Sequence, residues 1–290
     1  MERVVAALGR GVIPAATPLL RADDLGVLRG DGVFETTHVR DGRPWLLDEH
    51  LDRMTRSASR MALDLPPRAD LLELADQACA GWVAAAREQL PAGAGVPEGA
   101  LKIVCTRGPE DTDELTCFAT VTPVSELTVN ARRTGVRLGT LTLGIAAGIR
   151  SAAPWLLGGV KSLSYAVNMA CQRWAAGAGL DDVLWVSADG YLLEAPTATL
   201  VWLENRTLYT VPDSTGILAG TTARWLLDHV GELGWHTAER MVRPAELERA
   251  TGVWLTSSVR GIIAVRELDG VKLADPPQSD TLREMLGYPA

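Results

Sequence analysis

Lys161 stands at the head of the segment KSLSYAVN, directly after the largely apolar, flexible run Pro154-Trp155-Leu156-Leu157-Gly158-Gly159-Val160. A lysine amine attacks a carbonyl only when partly deprotonated, a state that burial or a neighbouring cation produces. Lys161 is the only cation between Arg150 and Arg173. Alone it reads as a surface lysine at a helix start, so its chemistry depends on what accompanies it. Glu194 closes the stretch Tyr191-Leu192-Leu193-Glu194, and the small, polar run Ala195-Pro196-Thr197-Ala198-Thr199 follows, which suits a side chain turned inward. Gly220-Thr221-Thr222 sits where a helix should open. Such a start offers unfilled N–H groups, a positive dipole end and hydroxyls to a phosphate, although the same pattern is also a common helix cap. Arg107, in Cys105-Thr106-Arg107-Gly108, ends a strand and has the planar fork that grips a carboxylate.

These residues need elements to hold them. Gly32–Val39 is rich in β-formers, and Asp41-Gly42 supplies a tight hairpin turn to Trp45-Leu46-Leu47. Asp48 is a suitable N-cap for a helix from about Glu49 to Ala62. A second helix covers about Arg68 to Gln89, and Pro91–Pro97 is a loop. Strands are expected at Ala100–Arg107 and Thr116–Pro123, then a polar connection from Ser125 to Arg133. Beyond it come a helix from about Ser164 to Gly177 and a strand–turn–strand unit, Asp182–Val186, Asp189-Gly190 and Tyr191–Glu194. Strands at Thr199–Leu203 and Thr207–Thr210 precede a helix over Thr221–Leu233, and Thr256-Ser257-Ser258 ends a late strand. Hairpins mix with crossovers, so the expected class is α+β rather than a doubly wound parallel sheet.

In order and spacing, RGDGVFETTHVRDG, EHLDRM, KSLSYAVN, DDVLWVSADGYLLEAPTATLVW and GILAGTT resemble the fold-type IV pyridoxal-phosphate (PLP) enzymes. That family comprises branched-chain aminotransferases, D-amino-acid transaminases and aminodeoxychorismate lyases. The resemblance covers most of the chain. It implies a smaller N-terminal α/β sandwich domain over 1–124 and a larger C-terminal pseudo-barrel domain over 134–290, with 125–133 between them. It makes Lys161 the Schiff-base lysine and Glu194 the partner of the pyridine nitrogen, whose protonation keeps the ring an electron sink. It gives the phosphate to Arg53 of EHLDRM, to Gly220, Thr221 and Thr222, and to Ser258. It gives the phenolic oxygen to Tyr165. The family's phosphate turn, often GITR, departs here: Ala223 replaces its arginine and Arg224 follows, which leaves the backbone contacts and puts the arginine's side-chain role in question.

Arg29 and Phe34-Glu35-Thr36 resemble the lyase and D-amino-acid transaminase form more than the branched-chain form, and KSLSYAVNMA resembles lyases of high-GC actinobacterial type. The implied activity is 4-amino-4-deoxychorismate lysis, releasing pyruvate and 4-aminobenzoate, with Arg29 and Arg107 as anchors for the substrate's two carboxylates. The alternative is an aminotransferase acting on D- or branched-chain amino acids with a 2-oxo acid acceptor. A non-catalytic PLP-binding relative should lack the lysine, the glutamate or the phosphate arginine, and all three are present.

Composition narrows the classes further. A net charge of −8 and a pI near 5.1 supply no broad basic face for nucleic acid, and Ala131-Arg132-Arg133 is too short to make one. No run approaches the ~18 apolar residues of a bilayer span, and the start lacks a signal-peptide pattern, so a cytoplasmic protein without membrane contact is expected. Cys79, Cys105, Cys117 and Cys171 are scattered in apolar surroundings and read as reduced core residues, and neither they nor the four histidines make a metal pattern. The partners expected are a small carboxylate-bearing substrate and, by resemblance, a second copy of the chain.

Overall fold

The computed structural model describes residues 1–91 and 93–288, so within the loop Pro91–Pro97 Ala92 lies outside the described residues. Its contacts divide the chain into two compact units. The first holds Met1–Ser125 and Val160–Tyr165, and the second holds Glu126–Gly159 and Ala166–Ala290.

In the first unit the elements are β1 (Val4–Ala7), β2 (Gly11–Ile13), α1 (Leu25–Arg29), β3 (Gly32–Arg40), β4 (Arg43–Pro44), α2 (Leu47–Arg60), α3 (Arg68–Gln89), β5 (Gly99–Thr106) and β6 (Thr116–Pro123). The strands form one six-stranded antiparallel sheet in the order β2-β1-β6-β5-β3-β4. The Asp41-Gly42 turn has both residues at positive φ, 48° and 76°, the geometry that matches the twist of a hairpin. α2 buries His50, Leu51, Arg53, Met54, Ser57 and Ala58, a stripe at three- and four-residue spacing. α3 does the same with Leu71, Leu74, Ala75, Ala78, Cys79 and Trp82. These pack on Val33, Leu101, Ile103, Cys105 and Ala119, all on one face of the sheet.

Two expectations shift. The helix after the hairpin starts at Leu47, because Leu46 turns the chain at φ 55° and ψ 40°; Asp48 lies inside the first turn and makes no cap. There, with Glu49, it meets the positive end of the helix dipole. Arg68–Gln89 and Thr116–Pro123 fall on the expected residues, and the strand between them runs Gly99–Thr106.

The second unit contains α4 (Glu126–Thr134), β7 (Val136–Thr142), α5 (Ile149–Ala152), α6 (Ala166–Gly177), β8 (Asp182–Val186), β9 (Thr199–Glu204), β10 (Thr207–Thr210), α7 (Thr221–His229), β11 (His236–Glu239), β12 (Gly252–Ser257), β13 (Gly261–Leu268), β14 (Val271–Lys272) and α8 (Ser279–Met285). Its sheet runs β11-β10-β9-β12-β13-β7-β8, with β14 on β13. Parallel pairs (β10–β11, β13–β7, β7–β8) stand among antiparallel ones, so the class is α+β. The stretch read as a connection is helical over Glu126–Thr134, and the one side chain α4 buries is Arg132, whose guanidinium donates to the carbonyls of Val259 and Arg260. Tyr191–Glu194 returns along β8 as a bonded arm rather than a full strand, and the helix opened by Thr221 tightens to a 3-10 turn at Val230.

Among the described residues no helix is long and apolar enough to cross a membrane, and no three His, Cys, Asp or Glu residues are grouped to hold a metal. Three of the four thiols are buried. Burial, helped by Asp76, pushes the Cys79 thiol up to about 12, which removes it as a nucleophile.

Candidate active site

β3 pairs with β5 from Gly32 to Val39 on one side, but on the other β4 covers only Val39 and Arg40. The open end of that edge is taken by Val160–Tyr165. Phe34 N–H donates to the Lys161 carbonyl at 3.1 Å, Leu163 N–H donates to Gly32 O at 2.9 Å, and Val33 bridges Ser162. Gly32 permits this approach, since a Cβ there would meet Cys105 O and Leu163 Cδ1, each at 2.7 Å. From the helix side, the Ser57 hydroxyl accepts the Lys161 N–H at 3.2 Å. The peptide of Lys161 is thus held at both its N–H and its carbonyl.

Its side chain lies against aromatic rings. Nζ is 4.4 Å from the Phe34 ring centroid and 5.7 Å from that of Tyr165, and those rings meet edge to face at 5.2 Å. The next residue on β3 points the other way. Glu35 faces α2, where Arg53 Nε and Nη2 donate to its two oxygens at 2.7 and 2.6 Å, and His50 Nδ1 lies 2.7 Å from Oε2. All three are sealed: Glu35 is 2 %, His50 1 % and Arg53 6 % exposed. Burial alone would raise the Glu35 carboxyl, but the Arg53 charge, its hydrogen bonds and the His50 contact outweigh this and hold it well below the usual carboxylate range. Burial pushes the His50 imidazole down despite Glu35, with the charges of Arg53 and Lys161 adding, so the ring stays neutral. An ionised carboxylate only accepts, so Nδ1 carries the hydrogen. Glu35 and His50 are absent from the residues singled out in sequence. The signal was there: His50 and Arg53 are three apart on α2, and strand alternation turns Glu35 toward them.

Arg29 and Arg107 belong to the same unit as Lys161. Arg29 is exposed on α1 and pairs with Glu110 at 2.6 Å. Arg107 donates through Nε to Asp31 at 2.8 Å, and through Nη1 and Nη2 to the carbonyls of Ala62 and Met61 at 3.0 and 2.8 Å. Those carbonyls end α2, so Arg107 ties off a helix terminus and its fork is filled by protein groups.

The second unit gathers Glu194, Gly220–Thr222 and Ser258 around β9 and β12. The Glu194 carbonyl accepts the Trp185 N–H at 2.9 Å. Glu194 Oε2 accepts the Leu218 N–H at 3.0 Å, and Oε1 lies 3.3 Å from Arg150 Nη1, a partner not foreseen in the sequence. Two residues after Leu218, Gly220 caps α7 with no side-chain bond, and a Cβ at Gly220 would sit 2.3 Å from Thr199 Oγ1. The first helical bond is Arg224 N–H to Gly220 O, so the amides of Thr222 and Ala223 have no intrahelical acceptor. The Thr222 hydroxyl is buried with no hydrogen-bond partner among the described residues. Thr256, beside Thr199 across β9–β12, leads to Ser258, whose carbonyl accepts the Tyr288 hydroxyl.

A buried orphan hydroxyl beside unfilled helix amides suits a phosphate, and a lysine amine walled by aromatic rings suits a carbonyl. Each of these features, taken by itself, is of a kind found in PLP-dependent enzymes. The family model for Amino-transferase class IV matches residues 32–268, and the chain belongs to that family. It is 40% identical over 293 residues to the bifunctional aminodeoxychorismate lyase / D-amino acid transaminase of Mycobacterium tuberculosis, covering 98% of this chain and 97% of that one. The aminodeoxychorismate lyase of Bacillus subtilis is 25% identical, covering 86% of this chain and 81% of that one. Among solved structures, a hypothetical aminotransferase from Mycobacterium tuberculosis in PLP-bound form matches with a TM-score of 0.92 at 39% identity, over 99% of this chain and 98% of that one. The chain is therefore an enzyme whose cofactor is pyridoxal phosphate, built on the fold-type IV plan.

Proposed function

We propose that this enzyme is a 4-amino-4-deoxychorismate lyase, acting as a cytoplasmic homodimer on a small substrate that bears carboxylates. The observation that carries the reading is the end-to-end match with a relative named for that reaction. In this reading Lys161 holds the cofactor, Glu194 keeps its ring nitrogen protonated, and Tyr165 serves its phenolic oxygen. Gly220, Thr221, Thr222, Ser258 and Arg53 serve the phosphate. Bound there, the cofactor withdraws electrons from the substrate carbon that carries nitrogen. Lys161 Nζ would take the proton from that carbon and supply one as pyruvate departs. The Phe34 and Tyr165 rings wall Nζ. Glu35 keeps Arg53 from moving, because both of its oxygens are gripped by one guanidinium.

The second reading is D-amino-acid transamination, favoured by the second half of the same relative's name. It uses the same proton transfer at Lys161 and ends with the amine on a 2-oxo acid. Purified protein is incubated with aminodeoxychorismate and assayed for 4-aminobenzoate and pyruvate, then offered D-alanine with 2-oxoglutarate and assayed for glutamate. Lyase turnover that disappears in Lys161→Ala, together with the cofactor's bound absorbance, is expected. Transamination without lyase turnover overturns the first reading in favour of the second.

A further inference from the structure

β5 and β6 bring two thiols face to face. In their register Cys105 stands directly opposite Cys117, as Ile103 does opposite Ala119 and Leu101 opposite Val121. All six side chains belong to the core on the α2 and α3 side of the sheet, so both sulfurs point the same way. The backbones of this pair do not bond each other. Cys117 turns its carbonyl away from β5, where it accepts the Leu8 N–H at 3.1 Å, and the two polar groups of a strand residue point to one side. One step beyond the Gly99–Pro123 pair, Val124 N–H donates to Glu98 O at 3.4 Å. Bonded and unbonded pairs alternate along an antiparallel ladder, so Gly99–Pro123 is unbonded, and Cys105–Cys117 has the same parity.

That distinction decides what the sulfurs can do. Opposite residues of an unbonded pair have Cα atoms about 4.5 Å apart, within the ~4.4–6.8 Å that a disulfide spans, and their side chains are closer than in a bonded pair. A hydrogen bond with the Cys117 sulfur, and then burial, push the Cys105 thiol far above its usual value, so Cys105 is no independent nucleophile. Cys105 is 0 % exposed and Cys117 6 %, which makes Cys117 the point of access. The pair sits at an end of the two strands: Thr106 is the last residue of β5, and Thr116 is the first of β6. Strand ends open more readily than strand centres, and opening there admits a small reagent.

We propose that Cys105 and Cys117 are a site of oxidative modification, closing to a disulfide across β5 and β6 with a low-molecular-weight disulfide as the oxidant. Cys117 Sγ attacks one oxidant sulfur, which forms a mixed disulfide and releases one thiol. Cys105 Sγ then attacks Cys117 Sγ, and its proton leaves with the second thiol. Two cysteines are oxidised, and one oxidant disulfide is reduced to two thiols. The new bond ties the root of the connection 107–115, whose Arg107 closes the end of α2. Lys161 Nζ lies against Phe34, whose neighbour Val33 is the residue opposite Cys105, so the lysine amine is on the other face of the sheet. The bond therefore forms without contact with Lys161 Nζ, and it is independent of which reaction the enzyme performs.

The test holds the holoenzyme with oxidised glutathione until the thiol count, read in denaturant, is constant, and then digests it with trypsin without reduction. Cleavage after Arg107 puts the two cysteines on different peptides, so a bond between them is read directly as a linked pair. The thiol count should fall from four to two, with the mass of two hydrogens lost and Cys105 joined to Cys117. Oxidised protein should melt higher than reduced protein, by roughly 5 °C, because the bond closes a loop in the unfolded chain. The same treatment should leave the Tm of Cys105→Ala and of Cys117→Ala unchanged. Four intact thiols, a glutathione adduct alone, or a linkage through Cys79 or Cys171 overturns the assignment. An equal or lower Tm in the linked wild type overturns the fit, since the strands must then distort to make the bond.

Discussion

Glu35 and Arg53 are a buried pair whose members depend on each other. Separating them leaves a charge with no water to solvate it, a loss of about 3–5 kcal/mol in comparable buried pairs. Glu35→Gln, which keeps shape but not charge, should therefore destabilise the apoenzyme strongly in urea unfolding. Replacing both, as Glu35→Met with Arg53→Met, should return most of that loss, because no charge is then stranded. The pH dependence has a definite sign. The folded pKa of Glu35 is depressed, so its contribution is complete above the ordinary carboxylate value of ~4.3 and fades only as pH falls toward the depressed one. The stability gap between wild type and Glu35→Gln should be flat from pH 5 to 8 and narrow in acid. A gap that changes with pH across that neutral range counts against the account. Residue types were readable in the sequence, and partners separated along the chain were not. Arg107 was readable as an arginine at a strand end, whereas its contacts with Asp31 and the carbonyls of Met61 and Ala62 exist only through the fold.

The elements that hold these residues were legible where an apolar stripe or a strand repeat is strong, as in α3 and β6. α4 shows why others were missed. ELTVNARRT presents no apolar face, and the side chain it buries is an arginine that satisfies carbonyls, so a hydrophobic pattern has nothing to detect. The start of α7 is the element with the sharpest steric requirement. Gly220 packs so closely on Thr199 that any Cβ must displace the strand hydroxyl or the first helical turn. Gly220→Ala should lower PLP affinity on the order of tenfold, since amides aimed at a phosphate lose their geometry with small shifts. Adding Thr199→Ala, which removes the nearest clashing atom, should restore part of it. Fluorescence titration of apoenzyme with PLP reads both effects, and unaltered affinity in Gly220→Ala contradicts the assigned role.

At the scale of the whole molecule, the six residues Val160–Tyr165 are what a linear reading of domains cannot foresee. The sequence divides naturally at the polar stretch after β6, yet the chain leaves its second unit at Val160 to complete the edge of β3 and rejoins it at Ala166. The physical reason is the shortness of β4, which leaves ladder groups of β3 open until this segment pairs with them. Lys161 lies on that segment, so cofactor capture acts on a piece of chain whose order depends on the folded sheet. A ligand that binds the folded state alone stabilises it by about 2.7 kcal/mol at 100 times its Kd, which for a chain of this size raises Tm by roughly 5 °C. PLP added to apoenzyme should produce a shift of at least that order in a thermal melt. Lys161→Ala should retain a smaller shift, because the phosphate contacts assigned to α7 remain when the covalent link is lost. Thr222→Ala combined with Gly220→Ala should reduce the shift in a chain that still carries Lys161. An equal shift in all three proteins would mean that PLP stabilises the fold through neither Lys161 nor the start of α7.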